Sequence, residues 1–243
     1  MKKIKILAVL LAALMMAFSF AACGGTGNTE NKAEDADAQA EDTASDTAKA
    51  EETPADEADA DAAGADSEGG ALVVYFSRTG EQYKVGVIDE GNTAIVAKMI
   101  AERTGADMFE IMPAEDTYPT TYDELTEAAK REQSENARPA YAGEVPDLSK
   151  YDTIFIGSPV WWGDWPMIMY TFFEENGEAL SGKRLVPFST HEGSGLSGFG
   201  EKLSRACPGS DVADGLAVTG SDAQNKPDEV REDVNEWLSG LGY

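Results

Sequence analysis

Residues 71–243 predict an α/β domain, a doubly wound parallel sheet with helices layered on both faces. Three observations carry the prediction. Short apolar runs alternate along the chain with helical patterns, as strand–helix–strand units require. The first run is apolar without a break, which suits a strand covered on both faces. The two clearest runs, 72–76 and 153–156, each open into a loop of Ser, Thr, Gly and Pro. In open α/β sheets, ligands sit outside the carboxyl ends of the strands.

The elements follow in order. Leu72-Val73-Val74-Tyr75-Phe76 is the first strand. Asn92 or Thr93 caps a helix in which Ile95, Met99 and Ile100 share a face, and Gly105 ends it. Residues 107–112 read as the second strand, 153–156 as the third, 184–189 as the fourth and 212–219 as a weaker fifth. The last helix starts at Pro227, carries Asp228 and Glu229 in its first turn, and buries Val230, Val234, Trp237, Leu238 and Leu241 at helical spacing. Strands joined through helices imply right-handed crossovers. Two insertions interrupt the scheme. Residues 81–90 form a small hairpin inside the first loop. A longer excursion between strands two and three holds a helix over 122–135, with Thr121 and Glu124 at capping-box spacing. There is no internal repeat.

The chain ahead of the domain is different material. Lys2, Lys3 and Lys5 precede an apolar run, 6–20, that ends in Ala21-Ala22-Cys23. That is the charged, apolar and small-residue order of an export signal over 1–22, too short for a comfortable membrane span. Cys23 after two alanines resembles a bacterial lipobox and is expected to carry the lipid. The alternative is an ordinary secretory signal. Residues 24–70 hold fifteen acids against Lys32 and Lys49, with no aromatic and no Val, Ile, Leu or Met. Such a segment buries too little to offset its ordering entropy, so 23–70 is expected to be a lipidated, disordered acidic tether. As a coil its reach is roughly 40 Å. Of the formal charge of −26, −16 falls to residues 71–243. That argues against nucleic-acid binding while leaving room for a phosphate held by neutral donors. Cys207 is the one cysteine besides Cys23, so no internal disulfide staples the domain.

Three loops carry the chemistry. Ser77-Arg78-Thr79-Gly80 follows the first strand and resumes at Gly91-Asn92-Thr93 before a helix. Unpaired N–H groups and the helix dipole favour an anion there, although strand-to-helix turns are commonly built of these residues anyway. No Gly-Lys-Ser/Thr follows at the spacing of a P-loop. Arg78 either pairs with the phosphate or points away. The second loop reads Pro159-Val160-Trp161-Trp162-Gly163. Large rings on a polar loop are costly to expose unless a ligand covers them. Trp161 and Trp165 suit packing beneath the next helix, and Trp162, beside Gly163, is expected to face the ligand. Phosphate at one loop and a flat ring at the next describe flavin mononucleotide (FMN). The third loop is Thr190-His191-Glu192-Gly193-Ser194-Gly195. Gly193, Gly195 and Gly198 match G-x-G-x-x-G literally, but after the fourth strand, which argues against a nicotinamide fingerprint. His191 is the only histidine, so a metal cluster or a histidine triad lacks partners. It is either a loop residue without chemistry or a contact to the flavin.

With these three signatures the chain resembles the flavodoxin family, specifically its longer flavodoxin-like branch, over essentially all of 71–243. The resemblance implies a three-layer fold with a five-stranded sheet in the order 2-1-3-4-5 and a non-covalent FMN at the strand ends. It implies phosphate at Ser77, Arg78, Thr79 and Gly80 with Asn92 and Thr93. It places the isoalloxazine against Pro159, Val160, Trp161, Trp162 and Gly163. Thr190, His191, Gly193, Ser194 and Gly195 would face the ring's other edge. The departure is the inserted hairpin, which divides a normally uninterrupted Thr-Gly-Asn-Thr run.

The function expected is that of an electron carrier, anchored by lipid at the outer face of a bacterial membrane, that serves a redox partner protein or a small electron acceptor. No catalytic side chain and no metal is needed, because the cofactor does the redox chemistry. A domain of charge −16 disfavours an anionic reduced flavin, which makes it a strong reductant. The first rival is an FMN-dependent reductase of quinones or other small acceptors using NAD(P)H. The second is a lipoprotein that binds flavin or another ligand without turnover.

Overall fold

The computed structural model describes residues 69–243; the expected signal segment, Cys23 and residues 24–68 of the tether lie outside them. The sheet is built from β1 (Gly70–Tyr75), β4 (Asp107–Glu110), β7 (Tyr151–Pro159), β8 (Arg184–His191), β9 (Asp211–Val212) and β10 (Leu216–Thr219). Its order is β4-β1-β7-β8-β10, all parallel, with β9 beside the start of β8. In terms of five strands this is the expected 2-1-3-4-5. The fifth is broken between β9 and β10, opposite Pro187. Proline has no N–H for a ladder, and Gly215 closes the gap so tightly that a Cβ there would sit 2.5 Å from the Pro187 carbonyl oxygen.

Side-chain alternation along β1 explains the two covered faces. Val73 and Tyr75 pack with Val96 and Ile100 of α1 (Asn92–Thr104) and with Val234 and Leu238 of α6 (Pro227–Leu241). Leu72, Val74 and Phe76 face the other way. They share a core with Ile168, Phe172 and Phe173 of α3 (Met167–Leu180) and Phe199 and Leu203 of α4 (Phe199–Ala206). Short α5 (Gly220–Asn225) follows β10. Among the described residues, no helix is long and apolar enough to cross a membrane.

Both insertions form, and each supports the other. The first is an antiparallel hairpin of β2 (Gly80–Gln82) and β3 (Gly86–Ile88). The second holds α2 (Tyr122–Glu135) and a two-residue pairing of β5 (Met112–Pro113) with β6 (Tyr141–Ala142). The expected second strand therefore splits, with β4 in the main sheet and β5 outside it. The capping box at α2 is altered as well. The Thr121 hydroxyl donates to the Glu124 carboxylate at 2.6 Å and makes no hydrogen bond to the helix end. The carboxylate of Glu81, from β2, satisfies instead the first N–H of the helix, that of Tyr122, at 3.0 Å.

Candidate functional site at the carboxyl edge of the sheet

The loops after β1, β7 and β8 converge at one end of the sheet. At the first, the N-cap of α1 is Gly91, which has no side chain to cap the helix. Ser77 does so from across the loop: its buried Oγ accepts the Ala94 N–H at 3.1 Å. A Cβ on Gly91 would lie 2.1 Å from that Oγ and 2.6 Å from the Arg78 carbonyl oxygen, so only glycine lets the strands of this cradle meet. Thr93 is buried and shares a 2.7 Å hydroxyl–hydroxyl bond with Thr190, which joins the first loop to the third. Asn92 accepts the Gln224 side-chain amide at 2.9 Å and borders the adjoining groove. Arg78 turns out of the cradle. It donates to Asp116 at 2.7 Å and to the Tyr118 carbonyl at 3.2 Å, with its guanidinium 5.4 Å from the Tyr118 ring centroid. Thr79 and Gly80 continue the loop into the hairpin, with Gly80 at φ +87°. Asp89, Glu90 and Glu110 line the same pocket as Ser77 and Gly91, and burial raises the Glu110 carboxyl above its ordinary range. Lys98, the cation there, is already paired to Glu90 at 2.6 Å. An anion in the cradle is therefore left to neutral donors and the α1 N-terminus.

Next to the cradle lies a groove of about 310 Å³. Pro159, Val160 and Trp161 form one wall and Thr190, His191, Glu192 and Ser194 the other, while Gln82, Tyr83 and Tyr122 of the insertions border it. Trp161 is held edge-on between Phe76 and Tyr118, both with ring centroids 5.4 Å away. Trp162 is thrown to the other side by a two-residue turn. Trp161 and Asp164 exchange backbone bonds at 2.9 and 3.0 Å, and Trp162 and Gly163 both have positive φ, +51° and +73°. The Trp162 indole N–H donates to the Thr126 carbonyl at 2.8 Å, and its ring lies half exposed on α2. The structure thus brings Trp161, rather than Trp162, to the groove beside the cradle. Trp165 is buried, stacked on Phe199 at 3.6 Å, as the sequence suggested for a core ring.

The third loop is braced from within. His191 Nδ1 accepts the Gly193 N–H at 2.8 Å, which places the proton of the neutral ring on Nε2. Burial holds the His191 pKa below its ordinary value, partly opposed by Glu192. Glu192 itself caps α5 through the Ser221 N–H at 2.6 Å and pairs with Lys84 of the hairpin at 3.2 Å. Gly193, Gly195 and Gly198 all have positive φ, and a Cβ on any of them would meet open space. Their spacing serves the turns of the loop, which ends with Gly198 as the N-cap of α4. Lys202 on α4 ties the second loop to the third, bonding the carbonyls of Gly163 and Ser197 and pairing with Asp164 at 3.2 Å. Sequence reasoning missed Lys202, Tyr122 and Tyr83, whose positions depend on contacts between distant segments. Among the described residues no group of His, Cys, Asp or Glu could hold a metal ion.

A tight glycine–serine cradle at a helix N-terminus, opening on an indole-walled groove at a switch point of the sheet, defines a class. These are doubly wound α/β proteins that bind an anionic ligand with a flat ring. The flavodoxin family model matches residues 71–239, and this chain belongs to that family. Among solved structures, a candidate flavoprotein from Bacteroides uniformis is 31% identical, with 70% of this chain and 98% of that one covered at a TM-score of 0.55. One from Bacteroides eggerthii is 28% identical, covering 66% and 97%, at 0.51. A flavoprotein from Lactobacillus acidophilus in complex with FMN is 21% identical, covering 64% and 97%, at 0.51. Curated proteins offer no match to the chain.

Proposed function

We propose that the protein binds one FMN at this edge and works as an electron carrier, exported and held to a bacterial membrane by a lipidated Cys23. The observation that carries the reading is the adjacency of cradle and groove. Gly91 lines the cradle and the next residue, Asn92, lines the groove, while the Thr93–Thr190 bond joins their loops, so a phosphate at Gly91 and a ring against Trp161 suit one ligand such as FMN. The residues fit that group: a Cβ would fill the cradle at Gly91, the donors there are neutral, and the groove is apolar on its Trp161 wall.

When bound, FMN supplies the one- and two-electron redox chemistry. The chain's residues bind, orient and shield. The N–H groups at the start of α1 hold the phosphate end. Trp161, fixed by Phe76 and Tyr118, stacks the ring and excludes water. His191, its Nδ1 spent on Gly193, keeps the third loop against the opposite edge. No acid, base or nucleophile is required of any side chain. Support for export comes from the order of Lys2, Lys3 and Lys5, the apolar run and Ala21-Ala22-Cys23.

One observation favours a second reading, a reductase of small acceptors. Gln82, Tyr83 and Tyr122 of the two insertions line the groove beside Trp161, where a small acceptor could meet the ring. The test is FMN titration of the full-length protein, followed by anaerobic NADH and then dithionite. Bound flavin that ignores NADH and is reduced by dithionite supports the carrier. Rapid bleaching by NADH selects the reductase, and failure to bind FMN overturns the flavin reading.

A further inference from the structure

A second cavity, of about 390 Å³, adjoins the groove and belongs to neither the cradle nor the third loop. Its floor is one face of α2: Tyr122, Leu125, Thr126 and Ala129 lie at helical spacing, with Leu125 and Ala129 buried. Its far wall is Trp162. The border with the groove is shared, since Gln82, Tyr122, Val160 and Trp161 line both.

Trp162 is hard to explain as packing. It takes a left-handed backbone conformation that bulky residues avoid. Its ring is nevertheless 50% exposed, so burial does not compensate that strain. The ring is also fixed in place. Its indole N–H is bonded to Thr126, and the Lys130 ammonium lies 5.0 Å from its centroid on α2. A strained, rigid and half-covered indole over an apolar floor is the wall of a binding site.

We infer that this cavity is a site for a small, flat, uncharged aromatic ligand seated between α2 and the tryptophan loop, edge to edge with the ring groove. The lining sets the class. None of the described residues lining it carries a charge, in a domain whose formal charge is −16. Trp161, Trp162 and Tyr122 offer flat faces, and the cavity suits one or two fused rings. The Gln82 amide and the Tyr122 hydroxyl can meet an oxygen at the ligand's edge. The cavity exists in this chain's own residues, whereas its place beside a bound flavin rests on the reading above.

The test uses full-length protein and 2-methyl-1,4-naphthoquinone as probe, with binding read by calorimetry before and after FMN is added, and FMN affinity read separately by flavin fluorescence. Ala129 touches the cavity but not the groove, so Ala129→Phe fills the site from α2. The expected result is that FMN-loaded protein binds the probe and the variant weakens it at least tenfold, with FMN affinity kept within threefold. Ala129→Leu serves as a smaller filling where phenylalanine disturbs the helix. The inference is overturned if neither form of the protein binds the probe, or if both fillings leave probe binding intact. It is equally overturned if FMN displaces the probe, because the cavity would then belong to the flavin. If FMN fails to bind while the probe binds and the fillings abolish it, the cavity stands and the flavin reading alone falls.

Discussion

The carboxylate of Glu81 accepts the backbone N–H of Tyr122 at 3.0 Å, so a residue of the inserted hairpin caps a helix forty-one positions away. The same two segments meet again where the Glu81 N–H donates to the Thr120 carbonyl at 2.8 Å and the Tyr83 and Tyr122 rings stack with centroids 5.6 Å apart. One insertion therefore orients the other, and together they border the groove.

Removing that cap should loosen both. Glu81→Ala deletes a charged acceptor at a helix N-terminus, a loss of about 1 kcal/mol. Thermal unfolding should shift down accordingly. Because Gln82, Tyr83 and Tyr122 border the groove, FMN affinity should fall in parallel, while Glu81→Gln, which keeps an acceptor, loses less on both measurements.

Gly91→Ala tests the cradle directly. The added methyl would lie 2.1 Å from Ser77 Oγ and 2.6 Å from the Arg78 carbonyl oxygen, and the backbone on the second contact has no rotamer to escape through. The loop must move away from the α1 N-terminus. FMN affinity should drop by at least about tenfold, equivalent to about 1.4 kcal/mol. Ala97→Gly at the next turn of α1 provides the comparison, since it weakens the helix without touching the cradle. Unchanged FMN binding in Gly91→Ala would place the phosphate elsewhere.

Much of this architecture was legible in the sequence, and the misses share a physical cause. β1 holds a continuous apolar run and β7 the short run Ile154-Phe155-Ile156, both of which a covered sheet explains, and the last helix is marked by Pro227 and its apolar stripe. The Thr121–Glu124 spacing was present but misleading, because the Thr121 hydroxyl is spent on the Glu124 carboxylate and a carboxylate from Glu81 satisfies a different N–H of the helix end, that of Tyr122. Short α4 lacked a long period, and the fifth strand is broken by Pro187 of its neighbour, which no reading of residues 212–219 alone reveals. The choice between Trp161 and Trp162 turns on one two-residue turn, and adjacent identical residues carry no signal of which side each takes. For Arg78 the sequence leaves both directions open, and the contact with Asp116, thirty-eight positions on, is what turns it outward.

The third loop should respond to pH through His191. Its Nδ1 accepts the Gly193 N–H, and a protonated ring has no acceptor to offer. Its pKa is lowered in the folded protein, chiefly by burial. The stability it contributes is thus present above the unfolded value of about 6.5 and is lost as pH falls through the lower folded value. Unfolding free energy and FMN affinity should both decline over that window. His191→Asn, which keeps an acceptor that does not titrate, should flatten the decline, with NMR titration of the single histidine locating the midpoint.

Attachment to the membrane is tested at Cys23. If the cysteine is lipidated after cleavage, the full-length protein should partition with membranes and incorporate labelled fatty acid. Cys23→Ser should abolish both and leave the FMN absorption of the domain unchanged. A protein that remains membrane-bound after the substitution would require another means of attachment than this cysteine.

The two tryptophans of the second loop should separate cleanly. Trp161 stands in the groove with Phe76 and Tyr118 behind it, so its stacking face is preorganised, and aromatic contacts of this kind contribute about 0.5–1.5 kcal/mol beyond burial. Trp161→Leu keeps much of the packing against Phe76 but removes the flat indole. FMN affinity should weaken by up to about tenfold, the upper end of that range. The flavin's own fluorescence, quenched by a stacked indole, should rise in the bound state. Trp162→Leu should change bound-flavin fluorescence less, because its ring lies on α2 with its N–H bonded to Thr126. If instead Trp162→Leu releases the flavin and Trp161→Leu does not, the ring occupies the cavity against α2, and the turn at Trp162 and Gly163 serves the flavin itself.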